Sequence, residues 1–223
     1  MFARVCIVFA LLGMGIDAAA QPATQPAAAM TIDKATRTII IPARIAPRKL
    51  DYLKEIYPIE VIACWPHPRG KKAHETVVTV DVVPSEVHKA LESLGLKPGR
   101  PAGADTAAEG PELTISLEII GADGQPRRLP IEKTLVDKKT GLAMPTVKWI
   151  FTGSVMSQPN PEKDEKFYGA DLTGTLICVF PVTDQTVIQS NLSIKDEPLL
   201  KMETNRKVLP PEGTPVKLIL QAR

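Results

Sequence analysis

Four side chains with metal-ligating or acid–base chemistry stand close together in one stretch of the chain: Cys64, His67, His74 and Glu75. A thiol, two imidazoles and a carboxylate are the ligand types of zinc and copper sites. Their order, C-x2-H-x6-H-E, matches no established metal motif. A simpler reading has Cys64 ending one strand, His74 and Glu75 opening the next, and the latter two bonding backbone at the base of the intervening loop. The same stretch is basic. Arg69, Lys71 and Lys72 surround Gly70, with no acidic residue between Trp65 and Ala73. Pro66 and Pro68 restrict the backbone, so this loop loses less entropy on binding than a Gly/Ser loop. Tryptophan and arginine are favoured at binding hot spots. Trp65, His67, Arg69, Lys71, Lys72, His74 and Glu75 therefore form a candidate ligand-binding set, suited to a phosphate- or carboxylate-bearing partner. The competing reading makes Trp65 a core residue and the loop an ordinary solvated one.

Other chemistry finds little support. Gly153-Ser154 is not a G-x-S-x-G elbow. No H-E-x-x-H, P-loop or G-x-G-x-x-G occurs. His88 falls beside the apolar face of a predicted helix and reads as a surface residue. Asp171 and Asp184 are carboxylates without a readable partner. Lys plus Arg is 27 against 25 for Asp plus Glu, a net charge of +2, which gives no electrostatic warrant for nucleic acid. Aromatic residues are 4%, too few for a row of stacking platforms.

The elements that must position these residues are mainly strands. Leu113, Ile115, Leu117 and Ile119 alternate with polar residues, the mark of a half-buried strand. Ala122-Asp123-Gly124 then supplies a turn before Arg127–Val136, so the pair reads as a hairpin. Further strands are expected at 38–41, 59–64, 77–82, 147–152, 172–180, 186–190 and 216–220. One helix is convincing. Val87, Ala90, Leu91 and Leu94 share a face, Pro84 suits its first turn, and Gly95 suits its end. The expected fold class is α+β: a mostly antiparallel sheet with this one short helix packed on its face.

Residues 1–20 read as a cleavable export signal, with Arg4, an apolar run from Val5 to Ile16, and the small residues Ala18–Ala20. Residues 21–30 read as a Pro/Ala spacer and residues 31–223 as one domain. The apolar run is too short to span a bilayer as a helix. A periplasmic or secreted location follows, with no membrane span after cleavage. Cys64 and Cys178 are then the only mature cysteines. Export invites a bridge between them. The apolar setting of Cys178, inside Leu176–Phe180, favours two buried thiols instead.

Several blocks together resemble a known family. They are C-W-P-H-P-R-G-K-K-A-H-E-T-V from Cys64, P-S-E-V-H-K-A-L from Pro84, and L-G-L-K-P-G-R-P ending at Pro101. Downstream come Trp149–Ser154, Tyr168-Gly169-Ala170-Asp171, Leu176–Val179, and Leu209–Val216. In order and spacing these are similar to the YdjY-domain family of exported bacterial proteins. The resemblance implies an extracytoplasmic protein without an assigned activity. Some members of that family carry a ferredoxin-like label. Two mature cysteines without a CxxC pair do not provide the four ligands of an iron–sulfur cluster, so no cofactor is expected. The leading functional reading is a non-catalytic module that binds an envelope partner or a small ligand. The alternative is an enzyme, or a metal- or redox-handling protein, centred on Cys64–Glu75.

Overall fold

The computed structural model describes residues 29–103 and 105–223. The expected signal at 1–20 and the spacer up to residue 28 lie outside them. In chain order the strands are β1 (Thr31–Asp33), β2 (Thr38–Ile45), β3 (Val61–Cys64), β4 (Thr76–Val80), β5 (Glu112–Ile120), β6 (Pro126–Pro130) and β7 (Leu135–Asp137). They continue with β8 (Trp149–Phe151), β9 (Met156–Ser157), β10 (Phe167–Tyr168), β11 (Thr175–Cys178), β12 (Ile188–Ser190), β13 (Met202–Thr204) and β14 (Pro215–Ala222). Helix α1 (Pro84–Ser93) lies between β4 and β5, and the short α2 (Gly169–Thr173) leads into β11.

The main sheet is not flat. Its order runs β2-β14-β5-β8-β12-β11-β3-β4, and β4 then pairs with β2 again. That last pairing closes an eight-stranded barrel and overturns the expectation of a sheet with a helix on its face. Neighbours are antiparallel except for two parallel pairs, β3–β4 and β11–β12. Eight strands leave an interior just wide enough for side chains to fill. Ile39 and Ile41 of β2, Ile115 and Leu117 of β5, Leu218 and Leu220 of β14, and Trp149 and Phe151 of β8 are all fully or almost fully buried in one core.

Closure rests on divided strand edges. One edge of β2 pairs with β1 through Thr38–Ile40 and with β4 through Ala43–Ile45. Pro42, which has no N–H to give to a ladder, stands between the two partners. One edge of β5 is divided in the same way, between β8 at Glu112–Leu113 and β6 from Ser116 onward.

Helix α1 follows its expected pattern. Pro84 occupies the first turn, the helix ends at Ser93, and Gly95 takes a left-handed φ of 84°. Its position differs from expectation. β4 and β5 are not neighbours in the ring, so the connection carrying α1 passes across one end of the barrel. There Val87, Ala90 and Leu91 join the interior core.

Candidate functional site

Because β3 and β4 are parallel, the candidate loop Trp65–Glu75 is not a turn between adjacent strand ends. It is a crossover that leaves β3 at the α1 end and enters β4 at the opposite end. The crossover therefore divides the predicted site residues into two groups.

Trp65, His67 and Arg69 belong to the first group. The Trp65 Nε1–H donates to the Val82 carbonyl at 2.6 Å, and its backbone N–H donates to the Gly174 carbonyl at 2.9 Å. Glycine is required at two positions against Trp65, one at its ring and one at its backbone. A Cβ at Gly174 would come within 2.6 Å of the indole, and one at Gly70 would meet the Trp65 carbonyl oxygen at 1.8 Å. Trp65 is thus a half-buried anchor. Above its open face lies the Arg69 guanidinium, 4.9 Å from the ring centroid. Arg69 also pairs with Asp81 at 2.9 Å, both being more than half exposed, where such pairs contribute little. His67 is exposed and packs against Tyr52, with ring centroids 5.3 Å apart.

Lys72, His74 and Glu75 belong to the second group, and each is held by neighbours. The Lys72 ammonium donates to Glu60 at 2.7 Å and to Glu75 at 2.6 Å. His74 Nε2 lies 2.9 Å from the other oxygen of Glu75. Beneath them Arg48, with its side chain only 3% exposed, pairs with Glu203 at 2.7 Å and donates to the carbonyls of His74 and Tyr57. Burial pushes the Glu60 carboxyl up, and the Glu75 charge adds to this, against the pull of Lys72. Burial alone would pull Lys72 down, but its bonds to Glu60 and Glu75 outweigh this and hold the ammonium above the usual lysine range. Burial also opposes the charge on Glu203, yet bonds from Arg48 and Thr204 win and keep that carboxyl low. These groups form a structural brace. Lys71, by contrast, is exposed and has no ion-pair partner among the described residues.

The metal-type quartet does not close around one point. Among the described residues no three His, Cys, Asp or Glu side chains are placed to hold an ion. Cys64 and Cys178 are both free and buried, in a small cluster with Val61 and Ala73. Burial pushes each thiol up to about 12, which makes both poor nucleophiles near neutral pH.

Several participants escaped the sequence reading. Arg48, Glu60 and Glu203 had no marking motif. Tyr52 and Tyr57 come from the segment preceding β3, and each packs on one crossover histidine, Tyr57 against His74 at 5.4 Å. Their scarcity was the available signal: the chain has only three tyrosines.

A second cluster joins the α1 end, and it corrects the placing of His88 on the surface. The His88 side chain is 17% exposed and packs edge-on against Phe151 and Tyr168. Its Nδ1 lies 2.7 Å from the Tyr168 hydroxyl, which also accepts from the Ser154 backbone N–H at 3.1 Å. Ser154 Oγ accepts from the Ala170 N–H at 3.0 Å, and Asp171 accepts from the Ser85 N–H in the first turn of α1 at 2.8 Å. Burial, with the charges of Asp171 and Glu92, pushes the Tyr168 phenol up to about 12, so it stays protonated and donates. These contacts weld α1, the exit of β8 and α2 together.

The welded segments, Pro84–Leu91, Gly153–Ser154 and Tyr168–Asp171, are among those that carry the family resemblance. Compared with known families, the chain matches the YdjY domain over residues 30–221. The chain belongs to the YdjY domain family. No curated protein and no solved structure matches it. The YdjY match spans both the α1 weld and the charged brace, so it covers every residue of the candidate site. Among the described residues no helix is long and apolar enough to cross a membrane.

Proposed function

We propose that this YdjY domain is an extracytoplasmic, non-catalytic binding module, and that it meets its partner on the outer face formed by Tyr52–Tyr57 and Trp65–Lys71. One observation carries the reading: an exposed aromatic and cationic strip on a rigid support. Tyr52 is 63% exposed and Tyr57 42%, so two large rings stand at the surface, Tyr52 against His67 and Tyr57 against His74. The same face carries the exposed His67 against Tyr52, Arg69 over its tryptophan, and Lys71, which has no ion-pair partner among the described residues. Aromatic rings and arginine on a pre-organised surface are the ingredients of binding hot spots. The excess of positive charge favours a polymer or protein bearing carboxylate or phosphate groups. The extracytoplasmic location rests on the export-type pattern of residues 1–20.

The test is cosedimentation of the purified protein with the polyanionic polymer fraction of the bacterial envelope. Binding should weaken as salt rises, because the screening length is only about 8 Å at physiological ionic strength. Tyr52→Ala and the double reversal Arg69→Glu/Lys71→Glu should each reduce it at least about tenfold, or ~1.4 kcal/mol. Retention of full binding by both variants, or no binding at low salt, overturns the proposal.

A further inference from the structure

A separate cavity of about 390 Å³ opens at the end of the barrel opposite α1. That volume lies within the usual range for small-ligand sites, roughly 300–1,000 Å³. Its apolar lining comes from Ile45 and Ala46 at the end of β2 and from Leu209, Pro210 and Pro211. Arg48 also reaches it, but that guanidinium is already neutralised by Glu203 and bonded to two carbonyls.

Two other lining residues behave differently. Arg206 and Glu212 both border the cavity and both are exposed. Neither makes an ion pair or a side-chain hydrogen bond among the described residues, with each other or with any neighbour. A cation and an anion thus face one apolar cavity without neutralising each other. The wall that carries them is fixed. The Gly213 N–H donates to the Ile45 carbonyl at 2.8 Å, and the Ile45 N–H donates to the Thr214 carbonyl at 3.0 Å. Asn205 is tied through its N–H to the Thr134 carbonyl at 2.8 Å and through its amide to the Lys133 carbonyl at 3.1 Å. Pro210 and Pro211 stiffen the rest. The backbone of the pocket needs little ordering, so binding has mainly the Arg206 and Glu212 side chains to order.

We propose that this pocket binds a small zwitterion of the α-amino-acid type with an apolar side chain. Its carboxylate meets Arg206, its ammonium meets Glu212, and its side chain packs on Ile45, Leu209 and the prolines. The charge pattern selects this class. A simple anion would gain Arg206 but face Glu212, a simple cation would meet the reverse, and an uncharged apolar ligand would desolvate both without replacement.

Isothermal titration calorimetry on the purified protein tests this, with leucine, methionine and phenylalanine as probes. N-acetyl-leucine and leucinamide each lack one charge. At least one free amino acid should bind saturably, and each capped form should bind at least about tenfold more weakly. Arg206→Gln should remove the preference for leucine over leucinamide, and Glu212→Gln the preference over N-acetyl-leucine. Both changes are at exposed positions, and unchanged thermal unfolding midpoints will show that the fold is intact. The inference is overturned by absence of binding at about 10 mM ligand. It is equally overturned if either capped form binds as tightly as leucine, or if both variants keep the original affinities.

Discussion

At the α1 end of the barrel, hydrogen bonds run mainly through uncharged groups: the Tyr168 phenol, the Ser154 hydroxyl and backbone amides beside the His88 ring, with Asp171 spent on the helix terminus. At the other end charges meet: Arg48 with Glu203, and Lys72 with Glu60 and Glu75. Both arrangements bind segments far apart in sequence. They differ in what happens when one member is lost. A neutral network that loses a donor leaves one or two polar groups unsatisfied. A charged brace that loses a cation leaves carboxylates facing one another in a poorly solvated place. The barrel should therefore be more fragile at its charged end.

The strongest test of that contrast is Arg48→Met. It keeps the bulk of the side chain and removes the charge, leaving Glu203 unpaired and the His74 and Tyr57 carbonyls without their donor. We expect a loss of about 3–5 kcal/mol in urea unfolding. A loss under about 1 kcal/mol would mean that the brace is solvated and the contrast false.

Lys72→Met and Tyr168→Phe compare the two ends directly. The first should cost about 1.5–3 kcal/mol and the second about 1–3 kcal/mol at neutral pH. Their pH dependence should separate them. In the Lys72 variant, acidification protonates Glu60, whose carboxyl is already pushed up by burial and by Glu75, and so relieves the repulsion. The penalty of that substitution should shrink as pH falls into the carboxylate range. No carboxylate bonds the Tyr168 hydroxyl, so Tyr168→Phe leaves no like-charged pair for acid to relieve, and its penalty should not shrink in the same way. Parallel pH profiles for the two variants would contradict the distinction.

Much of the fold was legible where a pattern was local. The alternation in β5 and the face, proline and glycine of α1 needed only neighbouring residues. Barrel closure was hidden because it depends on Ala43–Ile45 finding Val78–Val80, and nothing in either run names the other. The division of the crossover was hidden for the same reason. Two strands joined by a short connection read as neighbours, but their parallel pairing cannot be seen in periodicity. The candidate residues were found by type, while their partners were not. Arg48 meets Glu203, and His88 meets Tyr168, across separations of 155 and 80 residues.

A smaller, shared effect should appear in alkali. Burial raises Cys64 and Cys178 from 9.0, and Tyr168 from 10.0, each to about 12. Each group holds its proton more tightly when folded. Its contribution is therefore complete below the unfolded value and is lost as pH rises through the folded one. Stability should decline from about pH 9 to about pH 12, and Cys178→Ala should flatten part of that slope in urea titrations at several pH values. An unchanged slope would show that the thiol titrates as it does unfolded.

The smallest expected effect on stability belongs to Lys71→Ala, and it separates adjacent lysines of one crossover. Lys72 points into the brace, between two carboxylates. Lys71 is exposed, and its backbone N–H donates to the Thr173 carbonyl at 3.4 Å, a bond that alanine keeps; among the described residues its side chain makes no ion pair. An exposed, unpaired charge contributes within about 0.5 kcal/mol to stability. The unfolding midpoint of Lys71→Ala should therefore match the parent protein. Its partner binding should fall, with a shallower dependence on salt, because one steering charge is gone. Unchanged stability with unchanged binding would make Lys71 an idle surface residue and confine recognition to the aromatic groups. Lost stability would place it in the brace with Lys72 and erase the division of the crossover into a supporting end and a recognising end.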